Sequence, residues 1–167
     1  MVTLNVFKTH PDVNIPSFQT DQSACFDIAV NLAGKTTFSG YSKTNSKFTK
    51  DVYLDLIYVM PGDRILIPTG LIFDIPQGYS IRLHPRSGLS LKNGLVLANS
   101  EGVIDSDYTN ETFILMTNIS ENSQHIKNHD RIAQAELVKN VPFTFAEIST
   151  APSQKTDRIG GMGSTGT

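Results

Sequence analysis

Apolar and polar residues alternate with a period of two through much of the chain. Val2, Leu4 and Val6 are separated by polar residues, as are Val52, Leu54 and Leu56, and this alternation predicts half-buried β-strands. Apolar runs at 57–60, 65–67 and 71–75 are interrupted by Pro61-Gly62, Pro68 and Pro76-Gln77-Gly78, all turn formers. The same reading predicts strands at 79–84, 94–98, 112–117, 131–139 and 143–148. Many short strands joined by close turns make an all-β sandwich or barrel. Helical signals are scarce, and only Ser87 to Lys92 is predicted as one short helix.

Two stretches depart from this pattern. Residues 34–51 are rich in Ser, Thr, Lys and Gly, which predicts a solvated loop or a hairpin extension. Their lysines and Tyr41 also offer a surface for a regulatory protein partner. From Ser149 onward large apolar residues nearly vanish, and such a segment is expected to be mobile when free. The chain therefore divides into a β domain over 1–148 and a flexible C-terminal arm over 149–167.

Composition narrows the class without naming a chemistry. A chain of 167 residues is one domain's worth, and 39% apolar with 18% charged residues fits a globular fold. The net charge of −2 gives no basic surface for nucleic acid. Cys25 is the single cysteine, which excludes an internal disulfide and fits a reducing compartment. No apolar run approaches a membrane span, and the first residues lack a basic region followed by an apolar one. A cytoplasmic protein with no membrane or nucleic-acid partner is the expectation. His10, His84, His125 and His129 show no metal-ligand spacing, so packing and surface roles are expected for all four.

Candidate chemistry concentrates between Pro85 and Tyr108. Arg86 offers a planar, permanently charged fork suited to phosphate, Ser87 adds a hydroxyl, and Gly88 lets the backbone approach a ligand closely. Asp105 follows the apolar pair Val103-Ile104, an environment expected to desolvate it partly and fit it to take a proton from water. A phosphate clamp and a carboxylate base in one segment suggest water attacking a phosphate ester. Elsewhere, Asp27 in Cys25-Phe26-Asp27-Ile28 reads on its own as an edge or turn aspartate capping backbone amides.

PRSGLSLKNG (85–94) resembles the second of the five motifs of the trimeric deoxyuridine triphosphatases, and NSEGVIDSDY (99–108) resembles the third. The others follow in order: SACFDIAV (23–30), HDRIAQAEL (129–137) and RIGGMGSTG (158–166). Five ordered matches are far more specific than any one of them. The resemblance implies an all-β jelly-roll sandwich with one short helix, forming a homotrimer with a mobile C-terminal tail. It implies hydrolysis of dUTP to dUMP and pyrophosphate by water attack on the α-phosphate, which limits uracil in DNA and supplies dUMP for thymidylate synthesis. Sites would be shared among subunits, and Mg²⁺ would arrive with the triphosphate, keeping much of its hydration.

The resemblance also assigns roles. Asp105 is the catalytic base. Arg86, Ser87, Gly88 and Gln134 hold phosphates, joined by Arg158, Gly163, Ser164 and Thr165 from the tail. Asn99 and the hairpin backbone around Gly102, Val103, Ile104 and Phe113 read the uracil, while Tyr108 lies flat on the sugar and excludes a 2′-hydroxyl. Asp27 orients water around the metal without touching it. Arg131 is expected to be structural, pairing with Asp130 or Asp105. Three residues depart from the family pattern. Asn110 stands where many members have glycine and is expected in a left-handed turn; Met162 replaces a phenylalanine that stacks on uracil; Arg158 lies one residue closer than usual to Gly160-Gly161. The related dCTP deaminases carry a catalytic glutamate where this chain has Leu115, which argues against deamination. A non-enzymatic alternative is a regulatory binding protein that uses the insert as its contact surface.

Overall fold

The computed structural model describes residues 2–157. Arg158, Met162, Gly163, Ser164 and Thr165 lie outside the described residues. The elements in chain order are β1 (Asn5–Lys8), β2 (Phe26–Ala29), β3 (Thr37–Tyr41), β4 (Lys47–Asp51), β5 (Leu56–Val59), β6 (Arg64–Pro68), β7 (Leu71–Asp74), β8 (Tyr79–Pro85), α1 (Ser87–Asn93), β9 (Leu95–Leu97), β10 (Gly102–Ile104), β11 (Phe113–Asn118), β12 (Gln124–Lys127) and β13 (Arg131–Lys139).

Strands assemble into a four-stranded sheet, β10-β8-β13-β2, and a five-stranded sheet, β4-β3-β6-β11-β9, with two further pairs, β1-β7 and β5-β12. Alternation decides which residues face inward. Ile28, Ile81, Leu83, Ala133 and Ala135 from the first sheet meet Ile65, Ile67, Ile114, Met116 and Leu97 from the second in one continuous core. The architecture is an all-β sandwich of the jelly-roll kind with one short helix, as expected. Helix α1 ends at Gly94, whose left-handed φ of 63° carries the chain back into β9.

Three local expectations are corrected. Val52, Leu54 and Leu56 do not share a strand: Leu54 and Asp55 have φ of 50° and 59° and form a two-residue turn closed by the Tyr53–Leu56 bridge. The stretch 143–148 forms no strand, and Phe143 and Phe145 stand 73% and 93% exposed, their rings edge-on to one another at 5.2 Å. Asn110 is not among the residues with positive φ, so its turn makes no demand for glycine.

The insert over 34–51 is a hairpin and also a structural part of the larger sheet. Strand β3 pairs with β4 along its full length and with β6 through Ser39–Leu66, Gly40–Ile65 and Tyr41–Arg64. Phe38 is buried, with Phe48 edge-on to it at 6.3 Å. Gly40 permits the approach, since a Cβ there would sit 2.4 Å from the Arg64 carbonyl oxygen. Lys50 reaches inward to the buried Asp63 at 3.0 Å and lies over the Phe48 ring.

Candidate active site

The residues of the first, second and fourth motifs converge at one end of the four-stranded sheet. A cavity of about 520 Å³ is lined by Asp27 on β2, Arg131 and Gln134 on β13, and Arg86, Ser87 and Gly88 where β8 passes into α1. A bulge between Arg131 and Ala133 breaks the alternation of β13. Ile132 and Ala133 are consequently both buried, while the exposed Arg131 is free to face Asp27.

Asp27 is the hub of this cluster. Its Oδ1 is ion-paired with Arg86 Nε at 3.0 Å, and its Oδ2 accepts from Arg131 Nη1 at 2.9 Å. Arg86 Nη1 also donates to the Arg131 carbonyl at 2.7 Å. The expectation that Arg131 pairs with Asp130 or Asp105 is therefore corrected; Asp130 instead accepts from the Lys127 amide. Nor does Asp27 cap backbone amides, since both of its oxygens go to guanidinium groups. Two guanidinium groups against one carboxylate leave positive charge in excess, the balance that suits a polyanion. Arg86 donates one of its five N–H groups to the Arg131 carbonyl and keeps others for a ligand. Gln134 Nε2 donates to the Pro85 carbonyl at 2.9 Å, and its second N–H remains.

Cys25 lines the same cavity. Burial pushes its thiol pKa up, and the charges of Glu136 and Asp27 add to the effect. At neutral pH it is held as the thiol, a poor nucleophile.

The third motif builds a second cavity of about 380 Å³. Asn99, Val103, Ile104, Asp105, Tyr108 and Phe113 line it, with Leu66, Leu83, Thr112 and Leu115 completing the walls. Strand β10 pairs with β8 through Gly102–Leu83, Val103–Arg82 and Ile104–Ile81. Gly102 is packed so closely that a Cβ would fall 3.1 Å from Leu83 Cβ and 3.3 Å from Asn99 Nδ2. The Tyr108 amide donates to the Asp105 carbonyl at 3.2 Å and its hydroxyl to the Glu111 carbonyl at 2.9 Å, which fixes the turn. Ile104 is buried beside it, but Asp105 is exposed, contrary to the expected partial desolvation. The strand places its carboxylate at the rim, where the adjacent apolar pair does not cover it.

Among the described residues, the two cavities share no lining residue. Residues 45–166 of the chain match the family model described as dUTPase. The chain belongs to the dUTPase family. Similarity to deoxyuridine 5'-triphosphate nucleotidohydrolases extends across most of its length: 41% identity to that of Chlamydia felis over 156 residues, covering 92% of each chain, and 34% to that of Nautilia profundicola over 164, covering 98% of each. In fold, it superposes on the Staphylococcus bacteriophage 80alpha dUTPase with dUPNHPP at a TM-score of 0.77, 22% identity and full coverage of both chains.

Set against the family's motifs, the described fold brings Arg86, Ser87, Gly88, Gln134 and Asp27 together, and separately Asn99, Gly102, Val103, Ile104, Asp105, Tyr108 and Phe113. On the first cavity Gln19 falls outside the motifs, and Ser23 and Cys25 lie within the first motif but carried no assigned role; on the second, Thr112 was not singled out. Gln19 sits in the loop before β2 with no local chemical signature; only the fold carries it to Arg131. No group of three or more His, Cys, Asp or Glu side chains among the described residues is arranged to hold a metal ion. With both oxygens of Asp27 taken, the described residues do not fit a protein-held divalent cation.

Proposed function

We propose that the chain hydrolyses dUTP to dUMP and pyrophosphate at sites assembled between copies of a homotrimer. The observation that carries this reading is the separation of the motif residues into two cavities, one rich in positive charge and one with apolar walls and a carboxylate at its rim. Each is half of what a nucleoside triphosphate requires. Bringing the phosphate-side cavity of one copy to the nucleoside-side cavity of another completes a site. Val141, Phe143, Phe145 and Ile148, all exposed after β13, supply apolar surface for such contacts. The third contribution is the arm over 149–167, separate from the domain over 1–148, whose Arg158, Met162, Gly163, Ser164 and Thr165 would close over the nucleotide.

In this reading Asn99 and the β10–β11 backbone select uracil and Tyr108 selects deoxyribose. Arg86, Ser87, Gly88 and Gln134 hold the triphosphate in line. Asp105 takes a proton from water as its oxygen bonds to the α-phosphorus; the bond from that phosphorus to the α,β-bridging oxygen breaks, and pyrophosphate leaves. An exposed Asp105 in the isolated chain fits this scheme, because the substrate and a neighbouring copy would bury it. Mg²⁺, when present, would be held by triphosphate oxygens and water, neutralising phosphate charge. Positioning and charge neutralisation are the usual sources of acceleration in such reactions. No described helix is long and apolar enough to cross a membrane, and the cytoplasm is the proposed location. Leu115, half-buried on β11 and lining the nucleoside cavity, leaves a deaminase without its glutamate.

Pyrophosphate release from dUTP, dCTP, dTTP and UTP tests the reading. A pocket that hydrogen-bonds its substrate rejects mispaired analogues by up to ~10⁴ in kcat/KM, so dUTP is expected to stand far above the rest. Comparable values for dCTP and dUTP would sink the assignment.

A further inference from the structure

One side chain on the phosphate-side cavity belongs to none of the five motifs. Gln19 lies in the loop before β2, yet it lines the cavity alongside Arg86, Ser87, Gly88 and Gln134. Its Oε1 accepts from Arg131 Nη1 at 2.8 Å, and the same nitrogen donates to Asp27 at 2.9 Å. The loop that presents it is braced on both sides. Phe18 packs edge-on to Phe26 at 6.0 Å, and the Thr20 and Ser23 hydroxyls lie 2.8 Å apart with a backbone bond from Ser23 to Thr20 alongside. Gln19 is thus held at the cavity by neighbours anchored to β2.

A carboxamide has one accepting oxygen and two N–H donors. The oxygen is committed to Arg131, which turns the nitrogen away from that guanidinium. One Nε2 proton reaches the Ser17 carbonyl only at a long 3.4 Å, and the other is left over. A donor therefore stands at a cavity whose charged groups, Arg86 and Arg131 against Asp27, already favour an anion. We propose that Gln19 is a further phosphate-binding residue: Oε1 holds Arg131, while Nε2 donates to a phosphate oxygen of the triphosphate and of the pyrophosphate product. The inference rests on the reading of this cavity as the phosphate side of a dUTP site.

Gln19→Glu separates this role from simple bracing of Arg131. A glutamate can still accept from Arg131, and as a charged acceptor it does so more strongly. A bracing role would be kept or improved. A phosphate-binding role would be lost, because the donor becomes an anion facing an anion. The expected result is a KM for dUTP raised about tenfold or more, a kcat within about twofold, and inhibition by inorganic pyrophosphate weakened in step. Inhibition by deoxyuridine, which carries no phosphate, should be the same in both proteins, and the melting temperature should not fall. An unchanged KM together with unchanged pyrophosphate inhibition overturns the inference. So does an equal weakening of deoxyuridine, which would mean general distortion of the site. Calorimetric titration of inorganic pyrophosphate into both proteins reads Gln19 without any turnover. If the wild type failed to hydrolyse dUTP, the proposed function would fall while that titration still decided the role of Gln19.

Discussion

Replacing Asp27 with asparagine tests whether this carboxylate is a structural counter-ion or a water-positioning group near a metal. It is ion-paired with Arg86 at 3.0 Å and with Arg131 at 2.9 Å, the second pair being also a charge-assisted hydrogen bond, and its side chain is only 12% exposed. Asparagine keeps one acceptor but turns an N–H₂ toward a guanidinium, so one bond is lost and the other loses its charge. Bonds to charged groups contribute about 1.5–3 kcal/mol each. Arg86 and Arg131 are 29% and 48% exposed, so water recovers part of that. A net loss of about 2 kcal/mol remains, which for a chain of this size lowers the melting temperature by roughly 4–8 °C. The freed guanidinium groups should then favour a polyanion more than before. Inorganic pyrophosphate at a fixed concentration is expected to raise the variant's melting temperature by more than the wild type's. Thermal unfolding with and without pyrophosphate measures both effects. An unchanged melting temperature with much reduced turnover would refute the counter-ion reasoning and return Asp27 to a role in hydration of a metal.

Two further substitutions address the nucleoside-side cavity. Asp105→Asn is expected to keep calorimetric binding of a non-hydrolysable dUTP analogue while lowering kcat by ~10²–10⁴, the usual cost of removing a positioned base; turnover near the wild-type rate would place water activation elsewhere. Gly102→Ala forces a methyl against Leu83 and the Asn99 amide, with an overpacking cost of about 1–3 kcal/mol, so both the melting temperature and the affinity for dUTP should fall. An unaltered KM for dUTP in that variant would mean Asn99 does not read the base.

Much of this fold was legible because alternation and turn chemistry act locally. Strand β13 occupies 131–139 as its pattern predicts, and α1 begins at Ser87. The failures were of two physical kinds. Leu54 in a left-handed turn gives no signal, because leucine is not a residue that favours positive φ; the turn is imposed by pairing of its flanks. The apolar residues of 143–148 do have strand composition, but a strand needs a partner and none of the described residues pairs with them. At the site, the motifs identified the side chains of both cavities, whereas their partners were not readable. That Asp27 binds Arg86 and Arg131, and that Gln19 reaches Arg131 across the fold, depends on how β2, β8 and β13 align.

The hairpin formed by β3 and β4 has a consequence for how freely this chain could be shortened. A polar stretch between two recognisable motifs looks disposable, yet β3 covers one side of β6 and Phe38 fills part of the core. Excising it would leave β6 as a bare border of unpaired backbone donors and acceptors, a template onto which other molecules could add. The hairpin moves the border of the sheet from β6, whose Ile65 and Ile67 belong to the core, out to the polar, lysine-bearing β4, and any truncated version would need a new outer strand in its place.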